Sequence, residues 1–380
     1  MTKSSAVLRI KDTTPSAALY MSFDLGDRQW HLCFGDGRSG VSRYTVAAGD
    51  TAAVADRIVK AAARFKVGAR TRLYSVYEAG RDGWWLHRWL CELGVDSIVV
   101  DAASIEVNRR ARRAKTDRLD ADKLLAMLIR HHAGERVWGV LREPSPEAED
   151  ARREHRELER LTHERVAHSN RISSLLVLHN LRPGVVIGGR DWPKWWQAHR
   201  EQVPALLRAE LERECERLRL VKDQVRAIEA AHRRELAQGK QPLVEQLARL
   251  RAIGPKAAWV LVKEVFGWRQ FSNRRELASS IGLAPTPHAS GSIEREQGIS
   301  KAGNRRVRSL LVELAWNWLR LQPDSELTQW FDARFRGAGG RQRRVGIVAV
   351  ARRLAIALWR FMKDGEIPAG ASLKSSAIAV

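Results

Sequence analysis

Apolar runs bounded by turn residues dominate residues 18 to 100. Ala18 to Leu25 (ALYMSFDL) is a strand candidate that ends at the turn pair Gly26-Asp27. Gln29 to Phe34 is a second strand, so the two form a hairpin, and a third lies near Ser42–Ala47 after Asp36-Gly37. The spacing then changes to a helical one, with Val54, Ile58, Ala61, Ala62 and Phe65 on one side of Thr51–Phe65. Arg72–Tyr77 is a fourth strand with Glu78 at its end. Trp84–Leu93 is a short helix stopped by Gly94, and Asp96–Val100 is a fifth, buried strand. Three hairpin-type strands followed by alternating strand and helix predict a mixed sheet with helices packed on it, an α/β domain.

Beyond Pro144-Ser145-Pro146 the pattern is almost wholly helical. Glu147–Leu181 is long and charged, with a spine of Leu158, Leu161, Ile172, Leu175 and Leu176. Residues 184–203 are irregular and rich in tryptophan, and a second long helix covers about Pro204–Leu236. The pair predicts an antiparallel coiled coil, for spacing or subunit contact. Leu247–Trp259, turning at Ile253-Gly254-Pro255, has the form of a helix-hairpin-helix, which offers backbone N–H groups to phosphate. Helices follow over Phe271–Ile281, Arg305–Leu321 and Val345–Met362, with a small, polar loop at Thr286–Gln297. The expected division is therefore a polar tail at 1–16, an α/β domain at 17–143, a coiled-coil domain at 144–238, a mainly helical domain at 239–365, and a flexible tail at 366–380.

Composition changes this picture in one respect. Of 380 residues 44% are apolar, enough for real cores, but the formal net charge is +22. Such a charge attracts polyanions, nucleic acid first. No apolar run is long enough to span a bilayer, and Val345–Trp359 is broken by Arg352 and Arg353. The N-terminus lacks the apolar core of a signal peptide. Cys33, Cys91 and Cys215 lie far apart, which argues against a zinc site or disulfide framework and fits a reducing cytoplasm. His163-Glu164 and His168 are one residue too widely spaced to be a metal-binding H-E-x-x-H.

The candidate chemistry centres on Lys115-Thr116-Asp117-Arg118-Leu119-Asp120-Ala121. Asp117 and Asp120 stand three apart at a helix start and so share a face. Paired carboxylates suit a hard cation such as Mg²⁺, with Mn²⁺ as the substitute. Arg109, Arg110, Arg112, Arg113, Lys115 and Arg118 crowd the approach, as a phosphate backbone requires. Asp24 on the first strand and Glu78 at the end of the fourth can converge with them into a four-acid cluster. Two further basic stripes mark nucleic-acid contact. One is Lys301, Arg305, Arg306 and Arg308, beside Asn304. The other has at least seven arginines and no acid between 333 and 362, including Arg341, Arg343 and Arg344.

The strand order and the four acids resemble a ribonuclease-H-like domain of the RuvC resolvase type. The whole chain, from about 17 to 365, is similar to a family of DEDD-type insertion-sequence transposases related to the Piv DNA invertase. The likeness rests on the Lys115–Ala121 motif, Gly282-Leu283-Ala284-Pro285 followed by Ser290-Gly291, and Ile299-Ser300-Lys301-Ala302-Gly303-Asn304. Glu78-Ala79-Gly80 is a softer match.

That resemblance implies a recombinase that excises and inserts its own element in the nucleoid of a prokaryotic cytoplasm. Donor and target DNA would be selected by pairing with an element-encoded bridge RNA. Mg²⁺ would sit on Asp24, Glu78, Asp117 and Asp120, and a C-terminal serine would hold DNA covalently. Ser290 takes that role, with Ser292 as rival. A homodimer or tetramer would bring one subunit's acids to another's serine loop. The residues themselves leave two alternatives: a metal-dependent junction resolvase without serine chemistry, and a non-catalytic nucleic-acid scaffold.

Overall fold

The computed structural model describes residues 18–68, 71–105, 117–290 and 293–374, and the side chains of 117–119 and 287–297 lie outside that description. Two compact units divide at Glu143/Pro144.

In the first unit the turn residues act as the pattern predicts. β1 (Ala18–Leu25), β2 (Gln29–Gly35) and β3 (Ser42–Ala47) form an antiparallel meander. α1 (Thr51–Arg64) follows, its N-terminus capped by the Asp50 carboxylate on the Ala53 N–H. β4 (Arg72–Glu78) then pairs parallel with β1, and β5 (Asp96–Val100) pairs parallel with β4 after α2 (Trp85–Glu92). The sheet order is β3-β2-β1-β4-β5.

Alternation fixes the two faces. Leu19, Met21 and Phe23 of β1 join Leu73 and Tyr77 of β4 in a core with Ile58 and Leu86. Tyr20 and Tyr74 point the other way, toward α3 (Asp117–His132), where Val76 and Val100 meet Leu124 and Leu128. Ser22 lies on that same face and donates to the Ala121 carbonyl at 2.7 Å.

The second unit begins with α4 (Pro146–Asp150) and α5 (Arg153–Val177). The expected single helix from Glu147 is thus broken at Ala151-Arg152. α6 (Trp192–His199) occupies the stretch expected to be irregular, and Trp192 stacks on Trp195 and Trp196. α7 (Ala205–Ala237) returns antiparallel to α5, since His168 meets Glu214 at 2.6 Å while His232 meets Glu154 at 3.2 Å. Leu211, Glu214, Leu218, Val221 and Val225 of α7 are buried at alternating spacings of three and four. Residues 144–238, expected as a separate domain, belong to the same compact unit as the rest of this half.

α8 (Pro242–Ala248) and α9 (Pro255–Leu261) flank the Ile253-Gly254 turn, and α9 runs into a π-helical turn at Val262–Phe266. α10 (Arg274–Ser280) starts at an Asn273 cap. The stretch expected to be a loop is instead a β-hairpin, β6 (Pro285–Ser290) with β7 (Ile293–Ile299). α11 (Arg305–Leu321), α12 (Glu326–Phe335) and α13 (Gly340–Asp364) complete the fold. α12 was not anticipated, and α13 begins five residues earlier than its apolar pattern.

The expected C-terminal tail is docked through Lys374. Gln322 holds the Ser372 carbonyl at 2.9 Å, and Lys374 Nζ donates to the Ala248 and Ile253 carbonyls at 2.6 and 2.8 Å. Burial lowers the Lys374 pKa.

Candidate nucleic-acid interface and reaction residues

In the first unit, parity and register settle where the acids fall. Phe23 pairs with Tyr77, so Asp24 and Glu78 follow side by side at the C-terminal ends of two parallel strands. Both continue the Tyr20/Ser22 and Tyr74/Val76 rows, the rows facing α3. Ligand sites of sheets with parallel strands favour that end.

α3 runs back along β1, with Ala121 over Ser22 and His132 within 5.5 Å of Tyr20. Its first turn, Asp117 to Asp120, therefore lies at the same end as Asp24 and Glu78. The turn is pinned twice more. Cys33 Sγ donates to Asp122 at 3.0 Å, and Arg43 makes a two-pronged pair with Asp122 at 2.8 and 2.9 Å. Ala121 of α3 is buried against the sheet, and Asp120 beside it is half-exposed.

The donor set offers only carboxylate oxygens, which fits Mg²⁺ or Mn²⁺ in kind. Among the described residues no group of three His, Cys, Asp or Glu side chains is drawn close enough to hold a metal ion. Asp24, Glu78 and Asp120 alone therefore do not close a ligand set, and the Asp117 side chain lies outside the description. The basic approach, Arg109, Arg110, Arg112, Arg113 and Lys115, also lies outside the described residues, as does the Arg118 side chain.

The second unit carries a cleft of about 1120 Å³ whose lining sets cations among apolar side chains such as Val345, Val348 and Ile356. α13 explains why. Its Ile347, Val350, Ala351, Leu354 and Leu358 are buried, so the opposite face must take the arginines. Arg341, Arg344, Arg352 and Arg360 line the cleft from that face, joined by Arg274, Arg275 and Lys301; Glu326 and Glu366 are the acids among the lining residues. At 1.5 Å per residue, Arg341 to Arg360 spans about 28 Å, some eight base-pair steps of a duplex. Arg353 lies 4.1 Å from the ring centre of Trp330, which also lines the cleft.

The serine hairpin borders this cleft through Pro285, Gly298 and Ile299. In the backbone register Ser290 pairs with Ile293, so it is the last residue of β6 before the Gly291-Ser292 connection. The Ser290 side chain and the whole of Ser292 lie outside the description. The two motifs flanking the hairpin lock together. Ser300 N–H donates to the Ala284 carbonyl at 2.8 Å, Lys301 to Gly282 at 3.1 Å and Asn304 to Ser280 at 3.0 Å. Gly282 and Gly303 have φ of +69° and +82°, and a Cβ on either would run into the facing backbone of Ala302 or Ser280.

Three residues expected to contact nucleic acid also have internal partners. Asn304 caps α11 through the Val307 N–H at 3.2 Å and donates to Glu264 at 2.8 Å. Arg306 pairs with Glu159 and lies 3.5 Å from Glu264. Arg308, half-buried, donates to the Ile281 carbonyl at 3.2 Å, and burial lowers its pKa. Lys301, Arg305, Arg341, Arg343 and Arg344 are exposed. The sequence does not single out Arg274, Arg275, Arg360 or Trp330, and marks Arg352 only as a break in an apolar run, although the acid-free run from 333 to 362 signals the α13 arginines.

Residues 244–329 match the profile of the IS116/IS110/IS902 transposase family. The chain is 40% identical over 379 residues to a protein of Sinorhizobium fredii named as a transposase, y4rJ, covering 94% of this chain and 95% of the relative. A second protein of that bacterium so named, y4qE, is 30% identical over 87% of this chain and 84% of its own length. The transposase for insertion sequence element IS1328 of Yersinia enterocolitica is 26% identical over 38% of this chain and 42% of its own.

The class is that of DNA transposases. The chain belongs to the IS116/IS110/IS902 family, as a transposase of an insertion sequence. That membership sets aside the non-catalytic scaffold. No helix among the described residues is long and apolar enough to cross a membrane.

Proposed function

We propose that this transposase cuts and rejoins DNA through a covalent Ser290–DNA phosphodiester, assisted by a four-acid Mg²⁺ site and guided by an element-encoded RNA. The observation that carries the reading is the register of β1 and β4. It sets Asp24 beside Glu78 at the strand ends where α3 begins with Asp117 and Asp120. The order β3-β2-β1-β4-β5, with three antiparallel strands followed by two parallel ones, supports a ribonuclease-H-like assignment of this unit.

In the proposed step the Ser290 hydroxyl attacks a backbone phosphorus. The serine–phosphate bond forms as a deoxyribose oxygen leaves, and the serine proton passes to solvent or to a carboxylate. Attack by a hydroxyl of another strand reverses the exchange and seals a new junction, with the number of phosphodiesters conserved. Bound at the carboxylates, Mg²⁺ would lower the hydroxyl's pKa and offset charge on the leaving oxygen. The cleft arginines hold DNA or RNA by phosphate, without reading bases. Sequence is left to the guide, as in other RNA-directed systems. The antiparallel α5–α7 pair serves as the coiled coil that brings subunits together, so that one subunit's acids meet another's serine.

The test is a cleavage assay with Mg²⁺, cognate RNA and end-labelled donor DNA, resolved on a denaturing protein gel. Wild type should give a shifted protein–DNA band that Ser290→Ala and Asp117→Ala both lose, while Ser292→Ala keeps it. Cleavage without a shifted band, unchanged in Ser290→Ala, would establish water attack by a resolvase-type site instead.

A further inference from the structure

Glu264 is the most enclosed carboxylate among the described residues, 1% exposed in the π-helical turn that follows α9. A glutamate so buried needs partners to remain. It accepts from His155 Nε2 at 2.8 Å, from Arg156 Nε at 2.7 Å and Nη2 at 2.9 Å, and from Asn304 Nδ2 at 2.8 Å. His155 and Arg156 open α5, the first long helix of the hairpin. Asn304 opens α11 and closes the Ser300–Asn304 turn into which β7 runs. One carboxylate thus joins three elements far apart in sequence.

We propose that Glu264 is a positioning residue for strand cleavage, holding the base of the β6–β7 hairpin and the Lys301 turn in register through Asn304. This rests on the reading of that hairpin as the segment that reacts with DNA. The turn has no slack of its own. Lys301 already sits at a φ of +57°, rare for a residue with a side chain, and Gly303 has no room for one. The Asn304 amide links this turn to the buried Glu264, while Arg308 Nη1 ties the Ala302 carbonyl at 3.4 Å to that of Ile281. The Asn304 Oδ1 is spent on the α11 cap, so the two functions of Asn304 are carried by different atoms and can be separated by substitution.

Asn304→Ser keeps a good cap but cannot reach Glu264. The swap Asn304→Asp with Glu264→Gln exchanges donor and acceptor across that bond and keeps the number of carboxylates, but gives up the Arg156 Nη2 bond, which shares Glu264 Oε2, so its reference is Asn304→Asp alone. Each variant is assayed as full-length protein with cognate RNA, Mg²⁺ and donor DNA, reading affinity, melting temperature, and the cleavage rate at saturating DNA. The proposal expects Asn304→Ser to bind DNA within about twofold of wild type, yet to cleave at least tenfold more slowly at saturation, and the swap to cleave faster than Asn304→Asp alone.

Cleavage at the wild-type rate by Asn304→Ser, a loss explained wholly by weaker binding, or a well-folded swap no faster than Asn304→Asp alone would overturn it. Cleaved strand and covalent band are read in the same lanes. Cleavage without a band in wild type counts against the serine reading alone, and the Glu264 proposal is then judged by the cleavage rates.

Discussion

The two units place charge in opposite ways. In the first, Asp24, Glu78 and Asp120 lie at one sheet end without closing into a ligand set by themselves, on strands and a helix held by buried neighbours such as Ser22 and Ala121. In the second, cations from α10, the Lys301 turn and α13 wall a long cleft, and an acid, Glu264, is sunk beneath the turn that leaves the hairpin. In the proposed reaction that sheet end would hold a metal ion and a reacting phosphate. An extended basic wall suits many phosphates along a strand. The same electrostatic chemistry is thus divided between a point and a line, and different substitutions should disturb the two.

The sharpest way to break the comparison is to remove one member of each proposed centre. Ser290→Ala and Asp117→Ala should each lower strand cleavage by on the order of a thousandfold, measured as single-turnover rates. If only one of them matters, the two units do not share a reaction.

Next comes Glu264→Ala, which leaves His155 and Arg156 without their carboxylate. Because Arg156 reaches solvent, the loss should be about 3 kcal/mol rather than the upper end for such pairs. In a urea titration this should lower the transition reported by the second unit's tryptophans and spare that of Trp30.

The same group sets an acid limit. Burial would raise the Glu264 carboxyl, but the hydrogen bonds and charges of His155 and Arg156 outweigh it and hold it well below its ordinary value of 4.5. Glu214, likewise, is lowered by His168 and Arg217 against burial. A depressed carboxylate contributes stability that is present above its unfolded pKa and lost as pH falls through the folded one. Melting temperature should therefore fall steadily below about pH 4.5, and less steeply in Glu264→Gln.

A smaller effect is expected from the cleft. Arg344→Gln with Arg352→Gln should reduce the slope of log affinity against log salt by roughly 2 and weaken all DNA sequences alike. Asp120→Asn should leave that slope unchanged. Least of all, Ser22→Ala should cost about 1 kcal/mol by removing the hydrogen bond that seats α3.

Much of the first unit was legible because its signals are local. Alternation in Ala18–Leu25, the Gly26-Asp27 turn and the Gly94 stop each fix an element without distant help. The place of Asp24 beside Glu78 follows once the two strands pair. The second unit hid more. Pro285 and Pro287 disguise β6, since proline is disfavoured within strands, and the polar Gly-Ser connection reads as loop. Glu264, within Val-Lys-Glu-Val-Phe, looks like a surface helix position, because its partners His155 and Arg156 lie more than a hundred residues upstream. The cleft is invisible for a like reason: Arg274, Lys301 and Arg352 meet only in three dimensions. The internal bonds of Asn304 and Arg308 were equally hidden, because a basic or amide side chain at a helix start serves a cap, a carbonyl or a phosphate equally well.

The central claim is that one phosphodiester is handled by the carboxylates of one unit and the serine of the other. The most direct measurement is mass spectrometry of the peptide left on DNA after trypsin digestion of a stalled cleavage reaction. The account predicts a nucleotide adduct on the Glu276–Arg295 peptide, located by fragmentation at Ser290 and absent when Asp117→Ala is used. Cleaved DNA with no peptide attached, or an adduct that forms as readily without the Asp117 carboxylate, would contradict it.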